Sequence, residues 1–368
     1  MLTGQSALDD APTPDFAVPP PAAVSAAPAA PIADAPDADA PVAVAAPAAP
    51  IADAPDADVP DAGRLGIATA RERTSHVSQV VTLVAVLVPP LGLFSAMGVF
   101  WGVGFRMTDL VLFGVFYVLT GLGITVGYHR YFTHRSFETV APVKVALAIL
   151  GAMTLQGPVT QWVTDHRKHH ARSDQAGDPH SPHLSGDGLL GSIKGLWHAH
   201  MGWMFSTKGM ERSIAYGRDL YEDRTIRWID RLYLVWVALS FGLPFLVGAW
   251  VGGSWALGVE AMVWAGLIRV FAFEHSTFAV NSICHTFGRR AYEARDQSRN
   301  NWVVALLVFG EGWHNNHHAF PRSARHGLER FQLDLSWWTI RGLERLRLAQ
   351  AVKVPTPAQV ARVPRAAA

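Results

Sequence analysis

The sequence is poor in residues from which several classes of protein are built. It contains a single cysteine, Cys284, in 368 residues, which excludes an intrachain disulfide and a cysteine-rich zinc module. Lys and Arg (31) nearly balance Asp and Glu (30), so the charge does not indicate a nucleic-acid partner. The N-terminus has no basic start followed by an apolar core, and we therefore expect no cleavable signal peptide.

Residues 1–70 lack the side chains that make a hydrophobic core. They are rich in Ala, Pro, Asp and Val, and the string PAAPIADAPDAD occurs twice, at 28–39 and 47–58. Frequent proline opposes a regular helix, and such small side chains bury too little surface to offset the loss of chain entropy. We therefore predict a disordered tail at 1–70, a folded domain at 77–350 and a C-terminal tail at 351–368.

Apolar residues are the most prominent component of the chain. They make up 50% of it, the mean hydropathy is +0.16 and there are 13 tryptophans, which is typical of a membrane protein. Four stretches have about the twenty residues that cross a ~30 Å hydrocarbon core as a helix. Because the links within each pair are short, we predict an all-α integral membrane protein with four transmembrane helices in two hairpins, at about 80–100, 110–128, 232–253 and 255–273.

Basic residues predict which side of the membrane each end faces. Arg64, Arg71 and Arg73 precede the first apolar stretch, and most other Lys and Arg lie in 129–230 and in the C-terminal region. The short links within the pairs contain only Arg106. By the positive-inside rule, we expect both termini and a helical cap formed by the long segments to be cytoplasmic in a multi-pass protein.

A fifth apolar stretch, at about 143–163, is long enough to cross the membrane but lies between His134 and His166. A single crossing would place the histidines at its two ends on opposite faces. If these histidines serve one site, the segment must either dip into the membrane and return or lie in the interface. Gly157-Pro158 provides a bend for either path.

Histidine occurs sixteen times, and four clusters lie at the predicted cytoplasmic ends of apolar segments. These clusters are HRYFTH (129–134), DHRKHH (165–170), NSICH (281–285) and HNNHH (314–318). The second and fourth clusters each place three histidines at i, i+3 and i+4, which is one face of a helix. His129 and His134 are about 140° apart on an ideal α-helix, so we expect them to straddle a helix end or to approach a metal from two directions.

This number of histidines predicts two metal ions, because one zinc ion takes three or four ligands. Imidazole suits zinc, copper, iron and nickel. Few acidic residues lie near the clusters. We interpret Asp165, beside His166, and Glu311, near His314, as partners that orient imidazole rings.

Other interpretations of these clusters remain open. Arg130, Arg167 and Lys168 would also suit a phosphate-binding surface, although such a surface does not explain the helical spacing of the histidines. We interpret the isolated histidines as structural or solvated, namely His76, His183, His198, His275 and His326.

Together the motifs resemble those of the membrane fatty acyl desaturases, in particular the Δ9-type branch that includes stearoyl-CoA desaturase. The matching strings are GYHRYFTHRSF (127–137), DHRKHH (165–170), DPH (178–180), NSICH (281–285), GEGWHNNHHAFP (310–321) and SARHGL (323–328). The resemblance spans about 77–350 and implies two iron ions, nine histidine ligands and O₂ as co-substrate. The ligands implied are His129, His134, His166, His169, His170, His285, His314, His317 and His318, with Asn281 in contact through water.

The resemblance also implies the partners of the protein. The substrate would be an acyl chain on CoA or on a membrane lipid, and electrons would come from a separate ferredoxin or cytochrome b5-type protein with its reductase. Breaking an unactivated methylene C–H bond requires an oxidant made from O₂ at a redox metal. The candidates for substrate contact are Phe113 and Tyr117, as limits on chain length, Trp162, beside the passage, and Arg167, Lys168 and Arg172, near the head group.

Three further questions stay open at this point. Gly121, Gly123 and Gly127 would make room either for a lipid tail or for a neighbouring helix. A hydroxylase on the same scaffold would share the first hydrogen abstraction. A non-enzymatic metal transporter or sensor is disfavoured, because the predicted spans contain few intramembrane charges, chiefly Glu260 and Arg269.

Overall fold

A computed structural model describes residues 106–205 and 213–366, together with Pro90, Leu91 and Phe94. The predicted tail at 1–70 lies outside the described residues. So do His76, the basic flank of Arg64, Arg71 and Arg73, and most of the first apolar stretch.

The described part of the chain is almost entirely helical. In chain order its longer helices are α1 (Met107–Leu122), which continues as a π-helix, π1 (Gly123–Thr133), then α2 (Ala141–Ala152), α3 (Val159–Arg172), α4 (Gly188–His200), α5 (Arg218–Glu222), α6 (Arg224–Arg231), α7 (Tyr233–Gly252), α8 (Trp255–Met262), π2 (Val263–Ile268), α9 (Arg269–Ser282), α10 (Trp302–Leu307), α11 (His314–Ala319), α12 (Leu335–Arg345) and α13 (Pro357–Arg362). Short 3₁₀ turns occupy Gly202–Phe205 and Ser213–Tyr216. Two short strands, β1 (Glu138–Thr139) and β2 (Ala349–Gln350), pair antiparallel, with Glu138 opposite Gln350.

Three of the continuous helices are long and apolar enough to cross a membrane, namely Met107–Thr133, Tyr233–Gly252 and Trp255–Ser282. The last two form a hairpin, because Gly253 ends α7 in the left-handed conformation (φ 67°) and the Ser254 side chain caps the N-terminus of α8. Their outer faces are apolar and exposed, with Trp250 83% exposed. The structure therefore agrees with the prediction of an α-helical membrane protein for three of the four spans.

The fifth apolar stretch does not form one continuous helix. The helix α2 has twelve residues and ends at Ala152, and α3 begins at Val159 after a turn with Leu155 at φ 67° and Gly157 at φ 105°. Twelve residues extend ~18 Å, which is too short to cross the hydrocarbon core. As expected, the chain bends at Gly157-Pro158 and brings the histidines on either side of it together.

A buried arginine holds this turn in place. Arg269, fully buried on α9, donates from Nη1 to the carbonyl of Met153 (3.2 Å) and from Nη2 to Oγ of Ser240 (2.5 Å). Ser240 in turn donates to the same Met153 carbonyl (2.6 Å). Arg269 thus joins α7, α9 and the turn after α2, and its charge is used to hold the structure together.

The glycines of the first described span serve helix packing. A Cβ on Gly123 would lie 2.2 Å from the backbone nitrogen of Gly151, and one on Gly127 would lie 3.0 Å from Cβ of Leu147. The π1 helix therefore packs directly on the backbone of α2. A Cβ on Gly121 would similarly meet the ring of Phe309 at 2.4 Å. Of the two alternatives left open by the sequence, the structure supports close helix packing at all three glycines.

Candidate metal centre

The nine predicted histidines come together in two adjacent groups. In each group, one possible ligand atom per residue lies within 4.8 Å of all the others. The five-histidine group consists of His129, His134, His166, His170 and His317. The four-histidine group consists of His169, His285, His314 and His318.

Each i, i+3, i+4 triplet is divided between the two groups. On α3, His166 and His170 belong to the five-histidine group and His169 to the four-histidine group. On α11, His317 belongs to the five-histidine group, while His314 and His318 belong to the other. The two helices therefore each contribute to both groups, which explains why the triplets contain more histidines than one ion needs.

The π-helical geometry of π1 explains the five-residue spacing of the first cluster. The amide of His134 donates to the carbonyl of His129 at 3.2 Å, an i to i+5 bond that is characteristic of a π-helix. Residues five apart then lie nearly one above the other, and the two imidazole centroids are 4.8 Å apart. His134 follows Thr133, the last residue of π1, so the pair straddles the end of this helix as expected, but the separation of about 140° assumed α-helical geometry.

A carboxylate lies against the outer nitrogen of four of these imidazoles, and three of the four contacts are hydrogen bonds. A carboxylate can only accept, so each Nδ1 carries the proton and leaves the Nε2 lone pair for a metal. The distances from Nδ1 to the carboxylate oxygen are 2.6 Å for His129–Glu311, 2.9 Å for His169–Asp178, 2.9 Å for His285–Asp174 and 2.5 Å for His318–Asp296.

Sequence reasoning found only part of this carboxylate set. Glu311 was expected near His314 but bonds His129, because the loop before α11 folds back toward π1. Asp178 was visible only as part of the DPH string. Asp174 and Asp296 carried no local signal, since Asp174 is 111 residues from its partner His285 and Asp296 is 22 residues from His318.

The geometry and chemistry of both groups fit metal ions. In the four-histidine group, Nε2 of His285 and Nε2 of His318 each lie 3.0 Å from Nε2 of His314. Nε2 of His285 and Nε2 of His318 each present a lone pair. A single proton on Nε2 of His314 can be donated to only one of these nitrogens, whereas a cation can bind all three. Nε2 of His169 and Nε2 of His134 are also buried and lack a hydrogen-bond partner in the described structure.

Burial keeps several of these imidazoles neutral, which is the form that binds metals. Removal from water lowers the pKa of His166, His170, His314 and His317 well below the ordinary value, and neighbouring imidazoles lower it further. For Asp174, burial alone would raise the pKa, but hydrogen bonds from His285, the Gln297 amide and Ser181 outweigh it and lower the pKa to about 2.

A buried arginine lies behind Glu311. Arg130 is fully buried, with Nη1 2.9 Å from Oδ1 of Asp334 and Nη2 3.4 Å from Oε1 of Glu311. Asp334 also accepts from the amides of His326 and Gly327 (2.7 and 3.1 Å). Arg130 therefore ties π1 to the SARHGL segment, and its use in these ion pairs argues against the phosphate-surface interpretation.

Arg167, one of the predicted substrate contacts, is engaged within the chain. Its five N–H groups are engaged by five oxygens of this chain, which are both carboxylate oxygens of Asp219 and the carbonyls of Phe132, Thr133 and Tyr216. An arginine has no further donor. Contact with a head group would require one of these bonds to break, so Arg167 is a structural residue that joins α3, α5 and the end of π1.

The other predicted residues lie around the two groups. Trp162 stacks on His166 (ring centroids 5.0 Å) and donates to Gln156 (3.2 Å), which donates to Thr277 (2.9 Å). Phe113 stacks on Tyr117, whose hydroxyl donates to the carbonyl of Leu307 at 3.0 Å. The remaining predicted residues are Asn281, half-buried one turn before His285, and Asp165, Lys168 and Arg172 on α3, of which Asp165 and Lys168 are buried.

Of the five isolated histidines, four lie in the described part of the chain and make structural contacts. His183 and His198 contact the carbonyls of His285 (2.8 Å) and Pro179 (3.2 Å), and His275 contacts His200 (3.0 Å). His326 is buried and lies against His317, with ring centroids 4.5 Å apart. It borders the five-histidine group more closely than its isolated position in the sequence indicates.

A cleft of about 620 Å³ connects the two groups with the surface. Three of the nine histidines line it, namely His134, His170 and His318. The exposed cationic residues of the cleft are Arg135, Arg295 and Arg322.

Several known proteins are similar in sequence to this chain over most of the described region. Residues 108–349 match the family model for fatty acid desaturases. The chain is 43% identical over 272 residues to hex-5-enoyl-[acyl-carrier protein] acetylenase of Moorena producens (strain JHB), which covers 73% of this chain and 84% of the relative. It is 40% identical over 241 residues to sn-1 stearoyl-lipid 9-desaturase of Anabaena variabilis (65% and 82%). It is 39% identical over 244 residues to acyl-CoA 5-desaturase of Anemone leveillei (65% and 70%).

The chain belongs to the fatty acid desaturase family. It is therefore an enzyme that desaturates fatty acids, as the histidine motifs predicted. The names of the three relatives include three acyl carriers (acyl-carrier protein, lipid and CoA) and differ in the position of the bond, so neither property follows from family membership.

Proposed function

We propose that this desaturase uses O₂ to introduce a cis double bond at the Δ9 position of a saturated acyl chain, with two iron ions bound by the nine histidines. The main support is the convergence of these histidines into two groups whose Nε2 atoms face one another. The reaction removes two hydrogens from the chain, takes two electrons from a donor and two protons from solvent, and reduces O₂ to two waters.

Iron would be held by His129, His134, His166, His170 and His317 at one position and by His169, His285, His314 and His318 at the other, with Asn281 in contact through water. When bound, iron supplies the redox chemistry that activates O₂ for breaking a methylene C–H bond. The chain itself orients the imidazoles through Glu311, Asp174, Asp178 and Asp296 and buries most of them away from water. Asp165, buried beside His166 on α3, remains a candidate for the same role.

The acyl chain would approach from the membrane side, along Trp162. This indole lies between the His166 imidazole (5.0 Å) and the ring of Tyr128 (5.8 Å) and is held by Gln156. Phe113 and Tyr117 remain the candidates for limiting chain length. Tyr117 supports this proposal because its ring packs edge-on against Phe273 and Phe309, closing the space between α1 and α9.

The acyl carrier would be CoA or a membrane lipid, in keeping with the names of two of the relatives. The cationic residues of the cleft, Arg135, Arg295 and Arg322, are better placed than Arg167 to meet an anionic partner. Such a partner is either the head group or an electron donor of the ferredoxin or cytochrome b5 type. We place this face and both termini in the cytoplasm on the basis of the distribution of basic residues.

Product analysis tests the proposal directly. The chain and its His317→Ala variant would be expressed in a host that lacks Δ9 activity, with iron and a donor system supplied, followed by fatty-acid methyl ester analysis. We expect a new cis-monoene with its bond at C9, and at least a 100-fold lower yield from the variant, since loss of a metal ligand removes the oxidant.

Other products would identify which part of the proposal is wrong. A monoene with its bond elsewhere would overturn Δ9 but not desaturation. Hydroxylated chains that disappear in His317→Ala would favour the hydroxylase alternative. Absence of any new product from iron-loaded protein would contradict an oxidative activity and favour metal binding without catalysis.

A further inference from the structure

The two histidine groups differ in the charge that surrounds them. In the four-histidine group, three of the four imidazoles donate from Nδ1 to a carboxylate, which is Asp178 for His169, Asp174 for His285 and Asp296 for His318. All three carboxylates are buried or nearly so. Each of these aspartates is also fixed by backbone amides, for example Asp178 by the amides of Asp174 (2.8 Å) and His180 (3.1 Å).

The five-histidine group has a different environment. Oε2 of Glu311 lies 2.6 Å from Nδ1 of His129, but the same carboxylate also lies 3.4 Å from the guanidinium of Arg130 and 3.3 Å from the imidazole of His326. Much of its negative charge is therefore offset by a buried cation. In the described structure Nδ1 of His317 is buried and has no hydrogen-bond partner, so nothing there makes this imidazole a stronger ligand.

A carboxylate behind a ligating imidazole raises the basicity of that ligand and fixes its orientation. It also adds negative charge near the ion, where a low local dielectric strengthens the attraction. Three such carboxylates therefore strengthen metal binding more than one carboxylate whose charge is shared with an arginine, even though the five-histidine group has one more imidazole.

We propose that the two metal positions are unequal and that the four-histidine group binds its ion more tightly and fills first. Asp174, Asp178 and Asp296 are then positioning residues for this ion, while Glu311 and Arg130 together leave the other ion more weakly held. The inference rests on the proposed function, in which the centre holds two ions.

Two histidines of the same helix provide matched variants for the test. His314 and His317 are both buried on α11, and Nδ1 of each lacks a partner in the described residues, but they belong to different groups. Full-length, metal-free protein in detergent would be titrated anaerobically with Fe²⁺ and, separately, with Co²⁺, against a competing chelator, with Co²⁺ absorption recorded at each step.

We expect a tight first phase and a weaker second phase of one ion per chain each. His317→Ala should keep the tight phase and lose the weaker one, whereas His314→Ala should lose the tight phase. Asp296→Asn, whose amide replaces the acceptor of His318, should weaken the first phase by about 10–100-fold and change its Co²⁺ spectrum. Glu222→Gln is the control, because Glu222 is exposed, pairs with the exposed Arg218 and should leave both phases unchanged.

Any one of three results would overturn the proposal that the two metal positions differ in affinity. These are two phases of equal affinity, a tight phase that persists in His314→Ala but not in His317→Ala, and a first phase that is unaltered in Asp296→Asn. Circular dichroism of the metal-free variants checks that they are folded. Asp178→Asn replaces Asp296→Asn if the latter fails to fold. Protein that binds no ions in either phase would contradict the proposed two-ion centre itself, and product analysis detects that failure separately.

Discussion

At the scale of single residues, Trp162 is the predicted substrate contact with the strongest structural support. It is half-buried, stacks on His166 and contributes no metal-binding atom. We expect Trp162→Ala to lower turnover at least tenfold while iron per chain stays within about 20% of the wild type, since the cavity disturbs the acyl chain and not the ligands. Trp250→Ala, at an 83% exposed position on α7, should leave both values unchanged.

Iron content and product yield, measured on the same preparations, decide this prediction. A parallel fall of both in Trp162→Ala would mean that Trp162 supports the metal centre. Unchanged turnover would remove it from the substrate passage.

The motifs were enough to identify the nine histidines that the structure brings together, but not their partners. A triplet at i, i+3 and i+4 lies on one helix face whatever the tertiary structure. The relative positions of the histidines within each triplet, six of the nine in all, could therefore be predicted from sequence alone. Asp174 and Asp296 could not be found, because each lies in a loop whose path depends on the whole fold. For a related reason, sequence shows the charge of Arg167 but not the five acceptors that engage it.

At the scale of elements, the position of His129 and His134 depends on the packing of π1 against α2. The sequence gives no signal for a π-helix, because the pattern of apolar residues does not distinguish it from an α-helix over eleven residues. The glycines are visible in the sequence, but only the tertiary structure shows that Gly123 and Gly127 lie against α2. The apolar pattern was enough to predict long helices, but the π-helical geometry within them could be seen only in the tertiary structure.

Gly123→Ala tests this packing. Its new Cβ would lie 2.2 Å from the Gly151 nitrogen, so π1 and α2 must separate. We expect a loss of about 1–3 kcal/mol in the free energy of unfolding, as for other overpacked sites, together with weaker metal binding because His129 moves. Gly114→Ala is the control on the same span, since nothing lies within 4 Å of its Cβ, and it should be neutral or stabilising.

Thermal unfolding in detergent and metal content per chain measure these two effects. If Gly123→Ala is as stable and as metal-loaded as Gly114→Ala, close packing of π1 on α2 does not position the histidines.

At the scale of the whole molecule, the three described spans and the bend after α2 have one consequence for topology. The link at 253–254 joins two spans directly, and the histidine groups lie at the opposite ends of those helices. We therefore expect the link and the metal centre to face opposite sides of the membrane. By the positive-inside rule, we expect the centre, with its arginine-lined cleft, to face the cytoplasm.

Thiol labelling in intact cells can test this orientation, because the single native cysteine, Cys284, is fully buried and gives a low background. Ala256, at the start of α8, and Ala361, on α13, are both exposed and suit replacement by cysteine. We expect a membrane-impermeant maleimide to label Ala256→Cys in intact cells and Ala361→Cys only after permeabilisation. Labelling of Ala361→Cys in intact cells would contradict a cytoplasmic C-terminus. Labelling of both from the same side would also contradict the crossing of the membrane by α8, π2 and α9, since that crossing is what separates the two positions.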